Sequence, residues 1–302
     1  MRPVTTEIDA DICNGCGLCV EACPSMTLSM VDGVAQVTGK ESIHCGHCAA
    51  ICPEGAVTVR GVDPDAVRLS TLKNRDQWLD YGDYDAAGLV QLMRSRRSCR
   101  LFKEDPVPPE VLEDLVKIGT SAPSGTNSQA WTFTILPDRE AVMKLGLEVA
   151  GFFRKLLKMA SNPGIRLIAR LMRKPELGEF YREYYETVKE GLRQYDQEGR
   201  DRLFHHAPAV IIIGMRPGLA SCPCEDALMA SQNILLAAHA MGYGTCMIGF
   251  AVEAMKNSPG IKTKIGIPKT EPVYAVIAVG KPREPFQRPA GRKRLAPRYF
   301  RA

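Results

Sequence analysis

The sequence predicts an α+β protein in two unequal parts: a short cysteine-rich front, then a sandwich in which a mixed sheet is flanked by helices. Two observations predict it. Seven of the eleven cysteines fall between positions 13 and 52, and from about position 86 onward helical and strand-like apolar patterns alternate. The chain accordingly divides into residues 1–61, a connecting segment 62–85 and a second domain 86–302. At 302 residues, 45% hydrophobic and 24% charged, it has the composition of an ordinary globular protein with room for a substantial core.

Composition also excludes some classes. The opening Met1-Arg2-Pro3-Val4 has no apolar run, and no later stretch suits a bilayer span, so no membrane association is expected. Without an export signal, and with reduced thiols in demand, a cytoplasmic location without disulfides is expected. The net charge of +5 is modest, and part of it sits between Arg283 and Arg301. Prolines interleave that cluster, which suits a local phosphate site better than a nucleic-acid arm, so no nucleic-acid partner is expected.

The front half is an internal repeat. Cys13-x-x-Cys16-x-x-Cys19-x-x-x-Cys23-Pro24 returns, offset by 29 residues, as Ser42-x-x-Cys45-x-x-Cys48-x-x-x-Cys52-Pro53. Tetrahedral zinc suits separate C-x-x-C hooks, not two interlocked runs of this length. Residues 5–61 closely resemble the two-cluster bacterial ferredoxin module. The resemblance assigns Cys13, Cys16, Cys19 and Cys52 to one [4Fe-4S] cluster and Cys23, Cys45 and Cys48 to a second. That second set is one thiolate short, because Ser42 stands at the eighth cysteine position. A serine alkoxide can bind iron, but it is a harder ligand with a more tightly held proton. Three outcomes stay open: a [4Fe-4S] cluster with Ser42, Glu41, His44 or solvent on the odd iron, a [3Fe-4S] cluster, or an empty site.

Val57 to Arg60 reads as the last strand of the front part. The segment from Gly61 to Asp85 is expected to lie along the second domain, with Trp78 as its one large apolar anchor. Ala86 to Arg96 and Pro108 to Gly119 have helical spacing, and Trp131 to Leu136 alternates like a strand. Asp138 caps a helix predicted through Val149. Residues 151–200 read as one or two amphipathic helices, broken near Asn162-Pro163-Gly164 and Lys174-Pro175. Ala209 to Ile213 is a buried strand, Glu225 to Met241 a central helix buried in the domain or in a subunit interface, and Val273 to Val279 another core strand.

Two motifs in the second part carry chemistry. Arg96-Arg97-Ser98-Cys99-Arg100-Leu101-Phe102 packs three guanidiniums and a hydroxyl into five residues, which calls for an anion. Ser121-Ala122-Pro123-Ser124-Gly125-Thr126-Asn127-Ser128-Gln129-Ala130-Trp131 is a turn-rich stretch before a strand. Together they resemble the nitroreductase family of flavoproteins over residues 86–302, with Ala130 where the family has proline. The resemblance implies FMN. It places Arg96, Arg97 and Ser98 at the phosphate and ribityl chain, and Arg100 beside the N1 and O2 edge of the ring. Asn127 would meet the pyrimidine edge, with Pro123, Ser124, Gly125 and Gln129 in the adjoining turn. Met247, Ile248 and Gly249 match a loop whose backbone N–H faces N5 from the partner subunit, and Arg292 and Arg294 match a second pair of phosphate-binding cations. A site built from two chains implies a homodimer.

The function these readings imply is an oxidoreductase fed through iron-sulfur clusters and reducing a small electron-poor molecule, such as a nitroaromatic, quinone or activated alkene. No catalytic side chain is singled out. The electron donor is reduced ferredoxin, another donor protein or nicotinamide; no dinucleotide fingerprint is present, since Gly242-x-Gly244-x-x-Met247 lacks the third glycine. An electron-transfer module serving a protein partner, and a specialised reductase such as a dehalogenase, are the alternatives. Cys99 and Cys246 read as buried small residues, Cys222 and Cys224 as incidental thiols at a helix start, and His205, His206 and the Tyr181, Tyr184, Tyr185 and Tyr195 stripe as packing.

Overall fold

A computed structural model describes residues 2–301. The front part comprises β1 (Arg2–Pro3), β2 (Thr6–Ile8), α1 (Leu18–Glu21), β3 (Leu28–Val31), β4 (Val34–Val37), β5 (Glu41–Ser42), α2 (His47–Ala50) and β6 (Val57–Val59). Strands β2 and β6 pair antiparallel, as do β3 with β4 and β1 with β5. The 29-residue repeat is written in the backbone as well as in the cysteines. Gly17 and Gly46 stand ahead of α1 and α2 at φ 76° and 74°, and Gly15 is matched by His44 at 75° and 54°. Such left-handed residues turn successive N–H groups inward and make an anion-binding concavity. His44 does this without being glycine, at a cost of about 1 kcal/mol.

The connecting segment docks on the second domain chiefly through one carboxylate, with Lys117 Nζ also donating to Arg68 O at 3.0 Å. Asp114 is fully buried. It accepts from Ser70 N at 2.9 Å, Thr71 N at 2.6 Å and the Thr71 hydroxyl at 2.7 Å. Trp78, the expected anchor, is instead 75% exposed, with Tyr81 ring edge to ring face at 6.3 Å. Hydrogen bonds to a buried charge hold the segment, so the large apolar side chain need not.

The second domain contains α3 (Ala86–Ser95), α4 (Pro109–Thr120), β7 (Trp131–Leu136), α5 (Arg139–Ser161), α6 (Pro163–Leu171), α7 (Glu176–Glu183) and α8 (Tyr185–Glu198). It continues with β8 (Ala209–Met215), α9 (Pro223–Ala240), β9 (Gly244–Met247), α10 (Gly249–Asn257), α11 (Gly260–Thr263) and β10 (Val273–Gly280). The strands form one sheet in the order β7-β8-β10-β9. Every named pair in it is antiparallel, with Phe133 opposite Ile213 and Ile277 opposite Ile211. The sheet expected to be mixed therefore keeps its parallel character only in a bridge between Ser98 and Thr245.

Strand β8 is buried along its whole length because helices cover both faces of the sheet. Ile211 and Ile213 pack with Leu112, Leu115 and Ile234 of α4 and α9. Val210 and Ile212 point the other way, into a cluster with Val142, Leu145 and Val149 of α5. Alternation of period 2 within an all-apolar run thus serves two cores.

Helix boundaries differ from expectation mainly in the middle. Helix α5 runs past Val149 to Ser161, and residues 151–200 hold its end and three further helices. The break at Asn162 is a cap: its side chain accepts from Gly164 N at 2.9 Å and Ile165 N at 3.2 Å, with Pro163 in the first turn. Helix α9 is central on one side only, since Leu228 and Met229 are 46% and 45% exposed.

Replacing Asp114 by alanine is expected to cost about 3 kcal/mol, because four donor contacts lose a buried acceptor. Burial raises the carboxyl's pKa, but the bonds from Ser70 and Thr71 outweigh it and hold the value below the ordinary carboxylate range. The contribution is therefore present above that range and lost as pH falls through the folded value. Urea denaturation should show the gap between parent and Asp114→Ala closing at acid pH.

Candidate functional site

The front thiols gather as two sets. Cys19 lies close enough to Cys13 and Cys52 for their charges to raise its pKa after burial has done so; Cys48 is raised in the same way by burial, Cys23 and Cys45. Each set also has one sulfur that accepts a backbone N–H: Cys23 from Thr27 at 3.4 Å and Cys52 from Ala56 at 3.3 Å. These two bonds are again 29 residues apart, in matching places of the repeat. Cys23 is held below the ordinary thiol range, the N–H bonds from Thr27, Ser25 and Leu28 outweighing burial. Among the described residues no three Cys, His, Asp or Glu side chains close on a single ion. Thiols in mutual reach but spread wider than one ion suit a metal-sulfur cluster.

Ser42 is 8% exposed and lines one small cavity with Cys23, Cys45 and Cys48. Its hydroxyl oxygen accepts from His44 N at 3.1 Å. His44 lines the same cavity, but its Nε2 is engaged with Pro3 O at 2.7 Å. Glu41 is exposed and outside it.

In the second domain, Arg94, Arg97 and Arg292 line a second cavity with Gly291 and Ala290. Arg97 donates to Ala290 O at 2.9 Å and to Arg96 O at 3.0 Å, yet its buried Nε has no partner. Burial pushes the Arg96 guanidinium's pKa down, and Arg97 and Arg292 push it further. None of Arg94, Arg96, Arg97 or Arg292 is in an ion pair among the described residues. Sequence reasoning missed Arg94, although it sits on α3 one turn before Arg97. It named Arg294, which is exposed and outside this cavity.

Ser98 lies beside β9, bridged to Thr245. Glu284 fixes this stretch. It accepts from Leu101 N at 2.7 Å, from Arg100 N and from the Cys99 thiol at 2.8 Å. Burial, then that carboxylate, push Cys99 up to about 12, so it is an inert thiol. Arg100 itself is exposed.

The turn after Pro123 is held from α9. Asp226, 2% exposed, accepts from Gly125 N at 2.8 Å and the Ser128 hydroxyl at 3.2 Å, and its carbonyl takes the Trp131 indole N–H at 3.0 Å. Thr126, Asn127 and Gln129 all have positive φ, at 52°, 50° and 45°. Three such residues in four mark a strained turn. A Cβ on Gly125 would come within 2.3 Å of the Ser221 hydroxyl, which would have to rotate away. Ser124 accepts from Gln129 N at 3.0 Å. Asn127, however, turns toward the front domain, donating to His44 O at 2.8 Å and Ile43 O at 3.2 Å.

The loop after β9 meets a groove. Met247, Gly249 and Phe250 line a cleft of about 1040 Å³ together with Phe152, Phe180 and Tyr184. The α5 to α7 region forms its wall. Ile248 is buried, and its N–H is spent on Val276 O at 2.8 Å. The unspent N–H groups are those of Gly249 and Phe250, in the first turn of α10. Tyr195 lines a smaller cavity of about 180 Å³ that shares Phe153 and Phe250. Tyr181 stacks on Tyr185 at 4.9 Å, which is packing.

His206 is structural: its Nε2 accepts from Asp201 N at 3.1 Å, and Asp201 pairs with Arg139 at 2.9 Å. Burial, with Arg100 nearby, lowers the pKa of His205. Cys222 and Cys224 are exposed, the first as the cap of α9.

A thiol-rich front joined to an antiparallel sandwich that carries guanidiniums without an ion-pair partner among the described residues has the parts of a redox protein. The chain belongs to the nitroreductase family: residues 93–281 match that family, and residues 5–54 match the 4Fe-4S dicluster domain. It is an oxidoreductase. Over 201 residues it is 29% identical to the chloronitrobenzene nitroreductase of Comamonas testosteroni, covering 63% of this chain and 84% of that one. Over 190 residues it is 25% identical to an NADH dehydrogenase of Thermus thermophilus, with the same shares of 63% and 84%. The fold is shared with a solved nitroreductase with bound FMN from Desulfitobacterium hafniense, at 21% identity and a TM-score of 0.50, covering 68% of this chain and 93% of the other. No helix of the described residues is long and apolar enough to cross a membrane.

Asp226→Ala is expected to cost about 2 kcal/mol, since it takes a buried acceptor from two part-buried donors, Gly125 N and the Ser128 hydroxyl. Calorimetry should show the lowered melting point, and hydrogen exchange at residues 124–129 should be faster than in the parent.

Proposed function

We propose that this chain is an FMN- and iron-sulfur-dependent reductase of a small, flat, electron-poor organic molecule such as a nitroaromatic or quinone. The observation that carries the reading is the buried Arg97 Nε without a partner, in a cavity it shares with Arg94 and Arg292. Crowded guanidiniums without a counter-charge are stabilised by a phosphate dianion. Arg94, Arg96, Arg97 and Arg292 would hold the FMN phosphate, with Ser98 beside them. FMN, when bound, accepts electrons singly and delivers them as hydride from N5.

The chain's own part is positioning. Arg100 supplies a cation toward the ring and favours its anionic form. Gly249 and Phe250 offer free N–H groups where the cleft begins. The cleft's Phe152, Phe180, Tyr184 and Phe250 stack a planar substrate and exclude water. A cleft of this size and polarity favours small-molecule reduction over service to a protein partner alone. A two-fold dimer belongs to the reading, and Leu228 and Met229, exposed on α9, are apolar surface for it to cover.

At the front, Cys13, Cys16, Cys19 and Cys52 would hold one [4Fe-4S] cluster, and Cys23, Cys45, Cys48 and Ser42 the other. Among the ligands open for the odd iron, Ser42 is favoured by its place in the thiol cavity and by the N–H from His44, which stabilises an alkoxide.

Flavin fluorescence titration tests the cradle: Arg97→Ala is expected to weaken FMN binding about a hundredfold, equivalent to about 2.7 kcal/mol. An unchanged affinity, or a wild-type protein that takes up no flavin, would sink the reading. Anaerobic iron and sulfide analysis tests the ligand: Ser42→Cys should keep the wild-type iron content, and Ser42→Ala should lose iron from that centre alone.

A further inference from the structure

The seam between the two halves supports an inference that rests on the proposed flavin and cluster sites and goes beyond them. Asn127 has two amide hydrogens, and both are spent across the seam, on His44 O at 2.8 Å and Ile43 O at 3.2 Å. Its Oδ1 accepts from Gln129 Nε2 at 3.0 Å. No donor on this amide is left for a flavin ring. Arg2 closes the same seam, donating to Asn127 O at 2.9 Å, Thr126 O at 3.4 Å and Ile43 O.

The seam is one-sided. His44 directly precedes Cys45, so the loop that carries the Ser42 and Cys45 ligands is the one bonded to the second domain. The loop carrying Cys13 and Cys16 is tied inside its own domain, through Asn14 to Glu54 at 3.0 Å and Cys16 N to Asn14 at 3.0 Å. The far end of the seam is equally fixed, because Asp226 clamps the 124–129 turn.

We propose that Asn127, with Arg2, is a positioning residue that sets the Cys23, Cys45 and Cys48 centre beside the flavin turn, leaving the Cys13, Cys16, Cys19 and Cys52 centre distal. Electron transfer weakens steeply with distance and through gaps, so a bonded path from Cys45 through His44 O to Asn127 both shortens and fixes the crossing. Each crossing moves one electron: the centre is oxidised by one, and the flavin takes two in succession with one proton from solvent. The reductant is a one-electron donor, dithionite in the test below.

The test uses anaerobically purified holoprotein and Asn127→Ala, with Asn127→Asp as an isosteric variant that keeps the shape and lacks the donors. Hydrogen exchange should speed up by about tenfold at residues 42–46 and 124–129 in both variants, the loss expected for a hydrogen bond of about 1.4 kcal/mol. Iron and FMN contents should match the wild type. After rapid mixing with dithionite, bleaching of the cluster absorbance should keep its wild-type rate while flavin bleaching slows by about tenfold or more. Unchanged exchange on both sides of the seam overturns the proposal. So does a loss of FMN with the 42–46 protection intact, which would make Asn127 a flavin ligand. The exchange measurement needs no flavin, so a wild-type protein that binds none would refute the proposed function while still deciding whether the seam exists.

Discussion

The carboxylate of Asp226 is the constraint on which the rest of the site depends. A turn with three non-glycine residues in left-handed conformation does not hold itself; something must over-determine it. Asp226 does so from a helix packed into the larger core, with one oxygen on Gly125 N and the other on the Ser128 hydroxyl. Rigidity passes from the α9 core to the turn, and from the turn to the front domain through Asn127. A loose Asp226 would free both at once.

The front domain is stabilised differently. Its core is Cys19, Leu28, Ala35, Cys48, Val57 and Val59, with further cysteines against it. So small an apolar cluster cannot offset the ordering of some sixty residues, and a structural metal centre is the usual remedy at that size. The thiols that raise one another's pKa are thus both the weakness of the metal-free fold and the reason a metal is held. Ligation and folding are one equilibrium there.

How much of this was legible in the sequence depended on how local each signal was. The cysteine repeat could be read because a cluster's ligands come in short runs, and the offset survives even in the φ angles of Gly17 and Gly46. Arg96 and Arg97 were legible for the same reason. Arg94, one helical turn before Arg97, lines a cavity with Arg97 and Arg292, a convergence that a motif read along the chain does not show; Arg294 lies outside that cavity. The carboxylates Asp114, Asp226 and Glu284 were invisible: each meets its partners more than forty residues away in sequence, and nothing in an isolated Asp or Glu announces a buried acceptor. Trp78 failed in the opposite sense, since size alone does not make an anchor.

The Arg96 to Arg100 stretch runs beside the outer edge of β9 yet joins it by a single parallel bridge, at Ser98. At that bridge Cys99 N donates to Thr245 O at 2.8 Å, so the outermost strand has a partner there. Backbone N–H and C=O groups left unpaired on an outermost strand are the usual template for chains adding to one another, and this stretch covers part of that edge. Loosening the Arg96 to Arg100 stretch would therefore uncover a template on which one chain can add to another.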